Sequence, residues 1–163
     1  AWEVLLDVDA LAKQEKENWV FGGAECSPGG KHCLIRLSKG GGDAVVVREF
    51  DPAAKKFVAD GFTLPEAKTD ASYLNDDTVL FATAKDGATS SGYGRIIRQW
   101  RRGAPLSAAR TLYEGKVEDV LATPAVFHTK DGDVASAIRA VSLVRGVPPR
   151  ATGSIFRECQ RCI

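Results

Sequence analysis

Thr89-Ser-Ser-Gly-Tyr-Gly-Arg-Ile-Ile-Arg-Gln-Trp-Arg-Arg-Gly-Ala-Pro-Leu106 spells a loop, a strand and a tight corner in one short stretch. Arg95–Trp100 holds the β-branched and aromatic residues that suit a pleated strand. The turn falls at Arg102–Pro105, where Gly103 reaches positive φ without steric cost and Ala104-Pro105 restart an extended chain. Trp100 ends the strand and is placed to anchor the corner by packing across it. Trp100-Arg-Arg102 itself reads as a basic, solvated hairpin tip with arginine stacked on tryptophan. A further strand follows at Arg110–Tyr113.

Upstream, a loop over Lys85–Gly92 leads back to the apolar run Val79-Leu-Phe81, which follows a tight turn. Ser72-Tyr-Leu-Asn-Asp-Asp-Thr-Val-Leu-Phe81 echoes Glu25-Cys-Ser-Pro-Gly-Gly-Lys-His-Cys-Leu34, and setting Leu74 on Ser27 gives an offset of 74 − 27 = 47. The earlier copy carries strand-like runs at Cys33–Leu37, Ala44–Phe50 and Lys56–Val58. They are divided by Gly40-Gly-Gly-Asp43, a hairpin loop, and by Asp51-Pro52. A third, weaker copy would start near Val120, with Asp131-Gly-Asp133 as its turn and Ala137–Val144 as the next strand. Units of roughly 40–50 residues, each a meander of four strands, are how propeller blades look in sequence. The other reading of this alternation is an antiparallel sandwich without true repetition.

Residues 1–19 form a lead-in. Trp2-Glu-Val-Leu-Leu6 alternates like a strand, and Asp9 is placed to cap a short helical turn through Ala10–Lys13, with a polar stretch Gln14–Asn18 after it. Residues 20–145 hold the blades. Residues 146–163 open with Gly146-Val-Pro-Pro-Arg150, whose adjacent prolines cannot continue a central strand.

The 163 residues are 44% hydrophobic, enough for the core of one domain. Basic and acidic residues nearly cancel, 22 against 21, so no global field points to nucleic acid or membrane. Spanning a bilayer takes roughly 20 apolar residues, and the longest runs here, such as Ala44–Val47 and Val79–Ala82, are strand-sized. No signal-peptide pattern is visible. Cys26, Cys33, Cys159 and Cys162 are too sparse for a disulfide scaffold and read as mostly reduced thiols. Cytoplasm and periplasm both stay open.

Taken together, several pieces resemble the N-terminal β-propeller of bacterial prolyl oligopeptidase family serine peptidases. They are Trp2–Ala12, Asn18-Trp-Val20, Arg36–Ala44 with Arg48-Glu-Phe-Asp51, Gly61–Lys68 and Ser91–Leu106, in order and near-family spacing over about residues 2–120. Two positions depart from the pattern: Gly94 stands where proline is expected and Ala104 where threonine is. Region 121–145 matches loosely, best at Ile138–Ser142, and 146–163 shows no family resemblance.

The resemblance implies a serine peptidase parent whose α/β-hydrolase domain holds a Ser–Asp–His triad, with the serine in a Gly-x-Ser-x-Gly elbow. This sequence contains no such elbow. Gly153-Ser-Ile-Phe156 lacks the second glycine, and His32 and His128 both precede Ser154, the reverse of the family's order. No catalytic residue is assigned, and the chain alone is expected to be inactive. No Walker-type or Gly-x-Gly-x-x-Gly loop occurs. Cys159-x-x-Cys162 would be half of a zinc site, but Cys26 and Cys33 are badly spaced for the other half. No metal or cofactor is expected, and His32 reads as a solvated turn residue. The one flagged residue is Phe81: the resemblance implies an aromatic on this strand bordering the substrate cavity, whereas its residue type alone favours core packing.

The resulting expectation is an all-β partial β-propeller of two to three four-stranded antiparallel blades, with a short helical turn near the N-terminus. The resemblance implies that it gates access of short proline-containing peptides to a hydrolase domain. A non-catalytic module that binds peptide or protein is the alternative. Expected partners are that α/β-hydrolase domain and short peptides, with no nucleic acid and no membrane. Open strand edges would favour self-association.

Overall fold

The computed structural model describes residues 2–130 and 132–141. Helix α1 (Val8–Glu15) starts at Asp7, whose side chain accepts from the Ala10 N–H at 2.9 Å. Asp9, the expected cap, sits in the first turn instead, where a negative charge complements the helix dipole. Nor is Trp2–Leu6 a strand. It runs as irregular chain with Trp2, Val4 and Leu5 exposed, because no sheet edge accepts its ladder.

The first sheet holds β1 (Trp19–Cys26), β2 (Cys33–Lys39), β3 (Val45–Asp51), β4 (Lys56–Phe57) and β5 (Thr63–Ala67). β4 and β5 pair with different parts of the same edge of β3, so the sheet is four strands wide with a broken outer strand. Pro65 is compatible with that outer position, where a missing N–H costs no internal ladder bond. The second sheet is the antiparallel meander β6 (Thr69–Asn75), β7 (Thr78–Thr83), β8 (Ile96–Arg101) and β9 (Arg110–Glu114). A hairpin of β10 (Leu121–Thr129) and β11 (Gly132–Ala140) follows. Gly132 and Asp133, expected in its turn, are strand residues opposite Thr129 and His128. Asp131, the end of the expected Ala137–Val144 strand, and the tail at 146–163 with Cys159 and Cys162 lie outside the described residues.

Burial follows strand parity. On β2, Cys33, Ile35 and Leu37 pack against Leu11 of α1, while Leu34 faces the second sheet. Both faces are covered, and the strand accordingly reads as a nearly continuous apolar run. β7 is buried throughout for the same reason. Val79 and Phe81 face Val45, Val47 and Leu64 of the first sheet, and Ala82 faces Ala122 of β10. Each sheet thus lies face to face with the next, as successive blades do. The 47-residue offset is visible as a contact: Glu25 of β1 accepts from the Ser72 hydroxyl at 3.3 Å, a separation of 47.

Cys26 and Cys33 face each other at the last rung of β1–β2 and form a disulfide. The expectation of reduced thiols fails for this pair because the Ser27–His32 turn brings both cysteines to opposing positions. Gly94 explains its own departure from the family pattern. A Cβ there would lie 2.8 Å from backbone atoms of Ala82 and Thr83, so no larger residue fits.

Candidate functional site

The strongest concentration of buried polar chemistry lies between the two sheets. On β3, Val45, Val47 and Glu49 share the face turned to the second sheet, so the strand's parity carries a carboxylate into an apolar layer. Glu49 is fully buried. The break in the outer strand makes room for it. Glu49 N–H donates to the Phe62 carbonyl, and the Glu49 carbonyl accepts from Val58 N–H, so its backbone spans the gap between β4 and β5. Gly61 sits in that gap, and a Cβ there would stand 2.5 Å from Glu49 Oε2.

Four donors converge on the carboxylate. Oε1 accepts from the Tyr73 hydroxyl at 2.6 Å and from Arg102 at 2.7 Å. Oε2 accepts from Arg102 at 2.8 Å and from Phe62 N–H at 3.1 Å. Burial by itself would raise this carboxyl, but the hydrogen bonds from Arg102, Tyr73 and Phe62 outweigh it and hold the group below its ordinary 4.5. Tyr73 is pushed the other way: burial, then its bond to the carboxylate, raises its phenol well above the usual range.

Arg102 is no solvated turn residue. It turns inward from the corner between β8 and β9, lies over the Phe62 ring at 4.7 Å and also donates to the Asp76 carbonyl and Asp77. Trp100 anchors the corner from within. Its indole N–H donates to the Ala104 carbonyl at 2.7 Å and its ring stands edge-on to Phe62 at 5.0 Å. Gly103 takes φ 76°, the positive value expected of it. His32 is largely buried too, 12% exposed, with Nδ1 at 3.8 Å from Glu49. It comes from the turn that the disulfide closes.

Both lone-pair regions of the carboxylate are occupied, so Glu49 has no capacity left to take a proton from a substrate. The cluster is a joint. Two segments of the first sheet, β3 and the β4–β5 connection, and two of the second, β6 and the β8–β9 corner, meet on a single charge, and an open depression of about 500 Å³ lined by Asp60–Phe62, Trp100 and Arg102–Pro105 lies alongside.

Phe81 is 1% exposed, with its ring 6.4 Å from Trp100. Its strand, β7, is flanked by β6 and β8, so Phe81 stands in the wall between sheets, away from any sheet rim. The sequence reading missed Glu49, Tyr73 and Arg102. A legible signal existed: in Val45-Val-Val-Arg-Glu-Phe50, Glu49 falls on the parity of Val45 and Val47, where a carboxylate demands a buried partner.

Residues 1–135 match the N-terminal β-propeller domain of prolyl oligopeptidase. An uncharacterized peptidase of Sinorhizobium fredii is 42% identical over 134 residues, covering 80% of this chain and 18% of the relative. One from Rickettsia prowazekii is 36% identical over 124 residues, covering 69% and 17%. The structure of a post-proline cleaving enzyme from Rickettsia typhi superposes with TM-score 0.75 at 30% identity, over 84% of this chain and 22% of that one. Oligopeptidase B from Leishmania major shares the fold alone, with TM-score 0.59 at 11% identity over 83% and 18%. The chain thus spans about a fifth of the length of these relatives. With its stacked sheets, its internal offset and this match over most of its length, the chain belongs to the prolyl oligopeptidase N-terminal β-propeller family.

Proposed function

We propose that these blades serve as the selecting part of a prolyl oligopeptidase-type serine peptidase, admitting short proline-containing peptides to a hydrolase domain and turning folded proteins away. The observation that carries this reading is the joint at Glu49. A filter must hold its opening against a substrate, and a saturated buried ion pair fixes neighbouring blades far more firmly than surface contacts do. A second link supports it: Glu25 of β1 also accepts from Tyr73 N–H at 3.2 Å, and Arg36 of β2 donates to the Ala71 carbonyl at 2.8 Å. Acyl transfer would belong to the triad of the hydrolase domain.

A chimera tests the proposal. Residues 2–135 of this chain replace the matching segment of the Rickettsia typhi enzyme, and cleavage of a proline-containing chromogenic peptide is compared with cleavage of a folded protein. The peptide should be cut and the protein spared. A folded chimera that cuts both alike would sink the filter, and one that binds peptide without cutting it would favour a binding module.

A further inference from the structure

We propose that the Cys26–Cys33 pair is a reversible thiol–disulfide exchange site for small-molecule thiols, entered at Cys26. The two cysteines occupy opposing positions at the end of β1–β2 and are joined by a disulfide. Their surroundings differ sharply. Cys26 is exposed on the edge strand β1, whereas Cys33 is 5% exposed and sits in the cluster of Leu11, Ile35, Leu37 and Phe50. An incoming thiolate therefore reaches one sulfur of the bond and not the other.

The exchange balances with a monothiol as the reductant. The thiolate RS⁻ attacks Cys26 Sγ, the Sγ–Sγ bond breaks, and its electron pair leaves with Cys33 Sγ, which takes up the proton released by RSH. A second RS⁻ attacks the outer sulfur of the mixed disulfide, giving RSSR and the Cys26 thiolate, which is protonated in turn. Oxidised RSSR drives the reverse course through the same mixed disulfide. The hairpin does not depend on the bond for its shape: Ser27 N–H donates to the His32 carbonyl at 2.8 Å and Gly30 N–H to the Ser27 carbonyl at 2.8 Å. Exchange can proceed without unfolding the sheet. The same turn carries His32 beside Glu49, so the exchange site lies next to the joint.

The test uses the full chain in a Cys159→Ser/Cys162→Ser background, with glutathione as the probe and peptide-resolved mass spectrometry as the readout. The air-oxidised chain should show both remaining cysteines protected from alkylation, and a reducing glutathione ratio should free both together. An acid quench during reduction should trap glutathione on Cys26. With Cys33→Ala, oxidised glutathione should load Cys26, and with Cys26→Ala, Cys33 should react at least about tenfold more slowly. Free thiols in the air-oxidised chain, glutathione trapped on Cys33, or equal rates in the two variants would each overturn the proposal. The acid-quench arm uses native Cys26 and Cys33 and decides the matter even if a variant fails to fold. None of these readouts depends on peptidase activity, so they stand apart from the chimera result.

Discussion

Replacing Arg102 by methionine should cost far more than removing a surface arginine. The guanidinium supplies two of the four donors on a carboxylate with no solvent exposure. Methionine keeps much of the side-chain volume but leaves Glu49 charged and buried with only Tyr73 and Phe62 N–H as partners. Stranding one member of a buried pair costs about 3–5 kcal/mol, a large share of the stability of a domain this size. Glu49→Gln removes the charge, so adding it to Arg102→Met should recover part of the loss. The double variant should then be more stable than the two single losses predict, by about 0.5–3 kcal/mol of coupling. Urea unfolding followed by tryptophan fluorescence, to which Trp100 against Phe62 contributes, measures all four proteins. Losses that add to within about 0.5 kcal/mol would refute a shared charge as the joint between the sheets.

Acid should act on the same group. The folded-state carboxyl of Glu49 titrates below its ordinary 4.5, so its contribution is complete above that pH and is lost as pH falls through the folded value. Unfolding midpoints of the wild-type chain should drop more steeply below pH 4.5 than those of Glu49→Gln, and parallel curves would count against the assignment. Trp100→Ala should destabilise by about 3–5 kcal/mol and Gly103→Ala by about 1 kcal/mol, since one empties a packed corner and the other only strains a positive φ; equal effects by denaturant titration would contradict this ordering. Gly94→Ala should cost about 1–3 kcal/mol through its clash with the β7 backbone, and an unchanged midpoint would contradict the close approach. Phe127, Val134 and Ile138 share an exposed face of β10–β11, so the chain should self-associate with concentration and Ile138→Lys should weaken this; a strictly monomeric species in sedimentation at all concentrations would argue otherwise.

Strand positions were legible wherever apolar runs met turn residues, as at Gly40–Asp43 and at the Trp100–Pro105 corner. There, local chemistry and tertiary packing demand the same residues. What escaped was long-range. Asp7 rather than Asp9 caps α1 because the helix starts two residues earlier than the apolar pattern alone suggests. Arg102 looked solvated because its partner lies 53 residues away on another sheet. Cys26 and Cys33 looked independent because spacing does not report register, yet a one-residue slip would have sent them to opposite faces. Glu49 was the recoverable case, since its place in the strand alternation already marked it as buried.

One buried, ionised carboxylate fixes the first sheet against the second. Isotope-edited infrared spectroscopy of the chain carrying labelled glutamate, with Glu49→Gln as the subtraction, reads that group's titration directly. Glu49 should stay ionised as pH is lowered through 4.5 and protonate only below it, as the sheets come apart. A carboxyl that takes its proton above that pH while the fold stays intact would contradict it.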